Sequence, residues 1–178
     1  VNTYSYDNQV FPAIAADDQD RFVVVWQSDG SQYSDHFASS IQGQRLDFQG
    51  GLGDEFQVNS YTTGGQFTPA VAAFAALSFV VSWNSDLPSA TDPSRGIVAR
   101  CFCLGSTNEF HVNTFTTGSQ ELPAIAADDD GNFVVVWQSY GSSGSDNDSA
   151  SIQAQFYDAL FRDGFDSGGT SRWSAALP

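Results

Sequence analysis

The chain has 178 residues with a formal net charge of −15 at pH 7, and 41% of its residues are hydrophobic. That length is enough for one domain with a substantial core. All six positive charges are arginines, set against 21 acidic residues, which argues against nucleic acid as a partner because contacts to phosphates need clustered Lys and Arg. This acidity also disfavours docking on anionic membranes. No stretch approaches the roughly 20 apolar residues that insertion into a membrane needs.

Residues that favour helices are scarce in this chain. Met and Lys are absent, whereas Gly, Ser, Thr, Asp and the 15 Phe are abundant. Such a composition suits short strands joined by polar turns. We therefore expect an all-β fold.

One sequence unit recurs three times along the chain. The copies span about residues 1–54, 55–108 and 109–159. Each unit opens with a predicted strand of pattern EFxVN, complete at Glu55–Asn59 and Glu109–Asn113 and represented by Val1–Asn2 in the first copy. A polar turn follows and ends on Gln9, Gln66 or Gln120. We interpret the start inside a repeat as the mark of a processed product.

The next two predicted strands form a hairpin. An apolar run led by proline comes first, with Pro at the first strand position, where it need not donate to the ladder. A short acidic turn, Asp17–Arg21 or Asp128–Asn132, then leads into an apolar run that closes on tryptophan. This run has no helical period and indicates a buried strand. Its copies are Phe22–Ser28, Phe79–Ser85 and Phe133–Ser139.

A fourth predicted strand ends each unit, at Ser40–Asp47, Gly96–Cys103 and Ser151–Asp158. Four short antiparallel strands in roughly 55 residues are typical of a propeller blade. We therefore predict three blade-like, four-stranded antiparallel repeats in an open arc. A β-sandwich built from the same hairpins, or a flat solenoid, is the alternative. The predicted repeat core is Phe22, Trp26, Phe79, Trp83, Phe133 and Trp137, with Pro12, Pro69 and Pro123.

The two cysteines, Cys101 and Cys103, lie two residues apart on a predicted strand. Their Cα atoms would be about 6.5 Å apart there, near the upper limit for a bridge. We therefore expect two free thiols. A metal site would need further ligands, which the pattern does not supply.

Catalytic patterns are missing from the sequence. No Ser-His-Asp set or nucleophile elbow is visible, so we expect neither catalysis nor a required cofactor. Calcium is the ligand that the acidic turns could bind, because Ca²⁺ takes six to eight oxygen ligands. The candidate ligands are Asp17, Asp18, Asp20, Asp128, Asp129 and Asp130. Carbohydrate binding by exposed aromatic residues is a further possibility.

Three blades are too few to close a ring, since a propeller usually needs at least four. Residues 160–178 break the repeat and form a separate C-terminal tail. Uncovered blade faces and strand edges favour pairing with other chains. The tail could cap its own chain, several copies could close a symmetric ring, or the end of one copy could complete the start of the next in an open filament. We expect the last outcome, in which both ends of the chain join neighbouring copies. The candidate assembly residues are Val1, Asn2, Tyr4, Phe161, Phe165 and Trp173.

The repeat pattern VNTYTTGxQxxPAVAAxxDGxFVVxWQS resembles the tandem repeats of large secreted bacterial proteins and adhesins. Residues 112–120 (VNTFTTGSQ) and 123–139 match it closely, and the likeness covers nearly all of residues 1–159. The tail FRDGFDSGGTSRWS resembles the DGFESGDTSxWS endings of secreted Gram-negative proteins. Both resemblances imply an extracellular or cell-surface product. A short three-repeat chain with this tail also resembles protomers of helical extracellular bacterial fibrils.

These observations predict a structural subunit that polymerises with copies of itself into an extracellular bacterial fibre or surface polymer by completing neighbouring β-sheets. We expect neither nucleic acid as a partner nor insertion into a membrane. The alternative is a secreted monomer that binds calcium or carbohydrate.

Overall fold

The structure is a computed structural model that describes residues 1–30, 38–75, 78–86, 95–103, 108–141 and 149–158. Twelve strands lie in this part of the chain. The first repeat contributes β1 (Gln9–Ala16), β2 (Phe22–Asp29), β3 (Ser39–Asp47) and β4 (Gly50–Gly51). The middle of the chain contributes β5 (Phe56–Gln57), β6 (Gln66–Ala73), β7 (Phe79–Asp86) and β8 (Arg95–Phe102). The last part contributes β9 (Glu109–His111), β10 (Gln120–Ala127), β11 (Phe133–Tyr140) and β12 (Ala150–Tyr157).

The strands form three antiparallel sheets, which confirms the all-β, blade-like prediction. Sheet 1 has the order β1-β2-β3, with β4 and β5 both paired to β3. Sheet 2 has the order β6-β7-β8-β9, and sheet 3 has the order β10-β11-β12. The first strands of the sheets are neighbours, with β6 lying between β1 and β10.

The strand that opens each sequence repeat belongs to the preceding sheet. β5 pairs with β3 of sheet 1, and β9 pairs with β8 of sheet 2. Each sheet is therefore offset by one strand from the sequence repeat. Sheet 3 has three strands in the described residues, none of which pairs with the outer edge of β12.

The proline-led strands begin three residues before their prolines, at Gln9, Gln66 and Gln120. A register shift precedes each proline, and the residue before it has a positive φ: 52° at Phe11, 46° at Thr68 and 53° at Leu122. The prediction that proline occupies the first strand position is therefore wrong. A β-bulge accommodates it instead, because the bulged residue has no ladder partner to which it must donate.

Each tryptophan is fixed by the glutamine that begins the paired strand. The indole Nε1–H donates to the Gln Oε1 in all three sheets, at 3.1 Å from Trp26 to Gln9, 2.7 Å from Trp83 to Gln66 and 2.9 Å from Trp137 to Gln120. All three tryptophans are buried. Satisfying the indole N–H lets a large aromatic ring fill the interior at little polar cost.

The sheets stack through unlike faces. We call the side that carries Ile41, Ile97 or Ile152 the front face, and the side that carries the tryptophan the back face. The front of sheet 1 packs on the back of sheet 2, and the front of sheet 2 packs on the back of sheet 3. The first junction joins Val23, Val25 and Ile41 to Phe79, Val81 and Trp83. The second joins Val80, Ile97 and Ala99 to Val135, Trp137 and Tyr157.

Cys101 and Cys103 form a disulfide, so the prediction of two free thiols is wrong. Their Cα atoms are 5.4 Å apart, well inside the usual range for a bridge. The assumed extended geometry fails because β8 ends at Phe102, between the two cysteines.

Candidate functional site

In the described part of the chain, no strand pairs with the outer edge of β12, whereas β5 and β9 pair with the corresponding edges of β3 and β8. Ile152 lies opposite Gln138, as Ile41 lies opposite Gln27 and Ile97 opposite Asn84. The side chain of Ile152 is nevertheless 75% exposed, whereas both equivalent isoleucines are 0% exposed. The difference arises because β5 and β9 complete the first two sheets and the next sheet covers their front faces.

The front face of sheet 3 is an open apolar surface. On β12, Ile152, Ala154 and Phe156 alternate on this face and are exposed, Phe156 by 70%. Ala124 and Ala126 of β10 continue the surface. The residues equivalent to Phe156 are Arg45 and Cys101, and both pack against the next sheet. An exposed apolar face with buried counterparts in the same chain is a candidate interaction site.

A groove of about 440 Å³ lies at one end of sheet 3. Its walls include Asp128, Phe133, Val134, Phe156 and Asp158. The equivalent position at the junction of sheets 1 and 2 leaves only about 20 Å³. There, residues of the following sheet, Ala73, Ser78 and Phe79, line the space from the other side.

The back face of sheet 1 is the opposite end of the stack and is also uncovered. Ile14 on this face is 63% exposed. Phe22 is half-buried and meets the 79% exposed Phe48 edge-on, with ring centroids 5.4 Å apart. Trp26, by contrast, is buried on the same face. This face is the counterpart of the surfaces that sheets 2 and 3 bury.

The N-terminal residues predicted to take part in assembly lie beside sheet 1. Val1 is 65% exposed. The Asn2 side chain donates through Nδ2 to the Tyr4 carbonyl at 3.0 Å. The next residue, Thr3, donates through its amide and its hydroxyl to Glu55 Oε2, each at 2.6 Å. The segment is therefore tied to the start of β5.

The C-terminal assembly candidates Phe161, Phe165 and Trp173 lie outside the described residues. Among the predicted repeat-core residues, the three tryptophans, Phe79, Pro69 and Pro123 are buried, whereas Phe22 and Phe133 are half-buried and Pro12 is exposed.

The acidic turns use their first aspartate to close the turn. Asp17 Oδ1 accepts from the amides of Gln19 and Arg21, and Asp17 Oδ2 pairs with the Arg21 guanidinium at 2.7 Å. Asp128 accepts from the side chain and amide of Asn132, and the side-chain hydrogen bond holds the pKa of its carboxyl below the ordinary value.

The candidate calcium ligands do not converge on one point in the structure. Asp17 and Asp128 cap their own turns, and Asp18, Asp20, Asp129 and Asp130 belong to the same two turns. No group of three His, Cys, Asp or Glu residues that could hold a metal ion occurs in the described part of the chain.

Burial perturbs two titratable groups near the sheet junctions. The Arg45 guanidinium lies 5.0 Å from the ring centroids of both Phe56 and Phe79, and desolvation lowers its pKa. Burial raises the pKa of Tyr157 to about 12, and its ring stacks on Phe133 with centroids 4.6 Å apart. Both groups strengthen packing between sheets.

The sequence predicted that blade faces would be left uncovered, but it did not identify the front face of sheet 3 or the residues on it. The signal was present in the alternation of Ile152, Ala154 and Phe156, which aligns with Ile41 and its neighbours in the first copy. The alignment of the three copies did not show which sheet each strand joins.

No protein-family model and no curated protein matches the chain. Among solved structures, the chain is similar to a thermostable family-43 glycoside hydrolase, with 13% sequence identity and a TM-score of 0.52. The match covers 86% of this chain and 55% of that chain, so this chain spans little more than half of the hydrolase's length. At such low identity the likeness supports the fold alone. Within the described residues, no helix has the length and apolar character to cross a membrane.

Proposed function

We propose that the protein is a structural subunit that self-assembles head to tail into an extracellular fibre or surface polymer. The observation that carries this proposal is the stacking of sheets through unlike faces, which leaves an open front on sheet 3 and an open back on sheet 1. A second copy can therefore place its sheet 1 on sheet 3 and repeat the junction that the chain makes internally. Such a heterologous contact propagates until its rotation closes a ring, and otherwise gives a filament.

The groove on sheet 3 supports this mode of packing. In the junction of sheets 1 and 2, Phe79 and Ser78 help to reduce the equivalent space to about 20 Å³. By alignment, Phe22 of a second copy would occupy the position of Phe79 and enter the groove of about 440 Å³. Filling an apolar space of this size gains both buried area and dispersion contacts.

The charge of the groove disfavours a symmetric contact between two copies. The groove is lined by two carboxylates, Asp128 and Asp158. Contact between two sheet 3 faces would bring these carboxylates together, and two acidic grooves repel each other. Arg21 is paired with Asp17 of its own turn and lines the internal junction of sheets 1 and 2, so it does not add a free positive charge to the open back of sheet 1.

A non-enzymatic role is part of the same proposal. Glycoside hydrolysis belongs to the similar structure and not to this chain. Here two of the acidic-turn carboxylates, Asp17 and Asp128, are engaged in closing their own turns. The extracellular setting rests on the resemblance of residues 1–159 to secreted bacterial repeats. A monomer that binds calcium or carbohydrate is the competing outcome.

Two variants test the proposed head-to-tail contact. Each one alters a different end of the stack, so each serves as the control for the other. Ile14→Glu places a charge on the open back of sheet 1, and Phe156→Glu places one on the open front of sheet 3. Both side chains are exposed, so we expect both variants to fold, which circular dichroism and the melting temperature would verify. Wild-type protein should form filaments in negative-stain images at high concentration, whereas each variant alone should stay monomeric.

An equimolar mixture of the two variants gives the sharpest result. Each variant retains one intact end, so a head-to-tail contact predicts a dimer of one Ile14→Glu and one Phe156→Glu molecule and nothing larger. Light scattering coupled to size exclusion measures this mass. Wild-type protein that remains discrete small particles at high concentration would refute the proposal, as would filaments formed equally well by both single variants.

A further inference from the structure

We propose that the outer edge of β12 receives the Val1–Asn2 segment of a second copy, with the Asn2 side chain accepting a hydrogen bond from the Ile152 amide. This inference rests on the proposed head-to-tail assembly and assigns the strand that completes sheet 3. In this contact Asn2 is the binding residue of one copy, and the backbone of Ile152 is its binding site on the other copy.

The chain makes the same asparagine contact twice. In sheets 1 and 2, the asparagine of the EFxVN strand accepts from the amide of the edge isoleucine, and the preceding valine donates to the carbonyl of that isoleucine. The contacts in sheet 1 are Ile41 N to Asn59 Oδ1 at 2.8 Å and Val58 N to Ile41 O at 2.8 Å. Those in sheet 2 are Ile97 N to Asn113 Oδ1 at 2.7 Å and Val112 N to Ile97 O at 2.9 Å.

β12 offers the same receptor. Because Ile152 lies opposite Gln138 in the register that Ile41 and Ile97 share, its amide and carbonyl point to the outer edge of the sheet. No described strand reaches that edge. An exposed edge with unpaired backbone groups is a template for a strand from another chain.

Asn2 already has the geometry of its two counterparts. Its Nδ2 donates to the carbonyl two residues later, Tyr4, at 3.0 Å, as Asn59 donates to Tyr61 at 2.9 Å and Asn113 to Phe115 at 2.8 Å. That contact orients the amide so that Oδ1 is the atom available to an edge N–H in the other two copies. The side chain therefore needs little reorganisation to bind.

The spacing to the next sheet also agrees. Asn2 precedes Gln9, the first residue of β1, by seven positions, and Asn59 and Asn113 precede the first residues of β6 and β10 by the same number. A Val1–Asn2 segment seated on β12 thus delivers its own sheet 1 to the front face of sheet 3. The pairing of Val1–Asn2 with the edge of β12 and the stacking of sheet 1 on sheet 3 would therefore form together, as one contact between two copies.

The test compares Asn2→Ala with a matched control, Asn8→Ala. Asn8 is an exposed asparagine of the same segment whose Nδ2 donates to Asp29 at 3.2 Å, and it has no counterpart at a sheet edge. We expect Asn2→Ala to raise the critical concentration for assembly by about tenfold or more, since it leaves the covered Ile152 amide without an acceptor. Asn8→Ala should leave the critical concentration unchanged.

Hydrogen exchange at Ile152 gives a second readout. Its amide should exchange quickly in the wild-type monomer below the critical concentration and slowly in the assembled wild type. An Ile152 amide already protected in the monomer would show that the chain fills the edge itself, which would overturn the inference. Assembly of Asn2→Ala at the wild-type critical concentration would overturn it too, while leaving the proposed function intact. Failure of the wild type to assemble would be seen without any variant and would refute the proposed function first.

A synthetic peptide with the sequence of residues 53–60, GDEFQVNS, probes the receptor on the whole chain. The Ile14→Glu variant keeps β12 open while blocking polymerisation, so we expect this peptide to slow exchange of the Ile152 amide in it. A peptide carrying Asn59→Ala should bind about tenfold more weakly or worse. Equal binding of the two peptides would contradict the role assigned to asparagine.

Discussion

The Asn113 side chain is the best place to measure what the asparagine contact contributes to the fold. Asn113 is buried, accepts from Ile97 N at 2.7 Å and donates to Phe115 O at 2.8 Å. Asn113→Ala leaves the amide of a 0% exposed residue without an acceptor, which costs about 1–3 kcal/mol. Loss of the second hydrogen bond adds about 0.5–1.5 kcal/mol. We therefore expect the free energy of unfolding to fall by about 1.5–4.5 kcal/mol.

Urea denaturation monitored by tryptophan fluorescence measures this loss, and Asn2→Ala is its matched control below the assembly concentration. Asn2 makes the same local hydrogen bond but is exposed, so its removal should cost less than about 0.5 kcal/mol in the monomer. Equal losses in the free energy of unfolding from the two substitutions would contradict this expectation. A loss of less than about 0.5 kcal/mol for Asn113→Ala would contradict it too.

Three further perturbations and one ligand test extend the same logic. Gln66→Ala should lower the free energy of unfolding by about 1–3 kcal/mol, because the Trp83 indole N–H stays buried without its acceptor. Gln9→Ala should lower it by less, because Gln9 is half-exposed. Equal losses from the two substitutions would contradict this expectation. Burial favours the neutral Tyr157 phenol, whose pKa is about 12 in the folded protein. Its contribution, at most about 2 kcal/mol after allowance for partial exposure, is therefore fully present below pH 10 and lost as the pH rises from 10 through 12; Tyr157→Phe should abolish that loss in alkaline unfolding curves. Replacing Cys101 and Cys103 together by serine should cost about 1.6 kcal/mol, since the bridge closes a loop of only three residues, and a loss above about 4 kcal/mol would refute the estimate. Addition of a chelator should leave the melting temperature unchanged, and a clear decrease would restore the calcium reading.

The features that the sequence predicted are those set by local pattern and repetition. The apolar run ending in Trp83 has no helical period and forms β7, and the acidic turn at Asp17 joins two paired strands. The apolar run ending in tryptophan occurs three times and the acidic turn twice, and these copies reinforced one another. The fold class followed because every copy favoured the same short antiparallel hairpin.

The features that the sequence did not predict depend on which segments meet. The bulge before Pro12 follows from the pairing of β1 with β2. This pairing already begins at Gln9, and the ladder is interrupted at Pro12 because proline has no backbone N–H to donate. The disulfide required knowledge that β8 ends at Phe102. Most important, the EFxVN strand beside Glu55 could complete either the sheet before it or the sheet after it, and its spacing is compatible with both. Long-range pairing decided between them.

The pairing of each EFxVN strand with the preceding sheet determines how a polymer of these chains would grow. Because each sheet takes its last strand from the segment that leads into the next sheet, every junction within the chain combines a completed edge with a covered front face. Sheet 3 meets neither condition within the described residues, and Val1–Asn2 with sheet 1 is the matching half of both. In the proposed assembly, a junction between chains that copies the internal one would make the polymer a continuous stack, with three sheets for each protomer. Such a stack has no symmetric contact at which growth would stop, so its length is limited only by closure or by a capping partner.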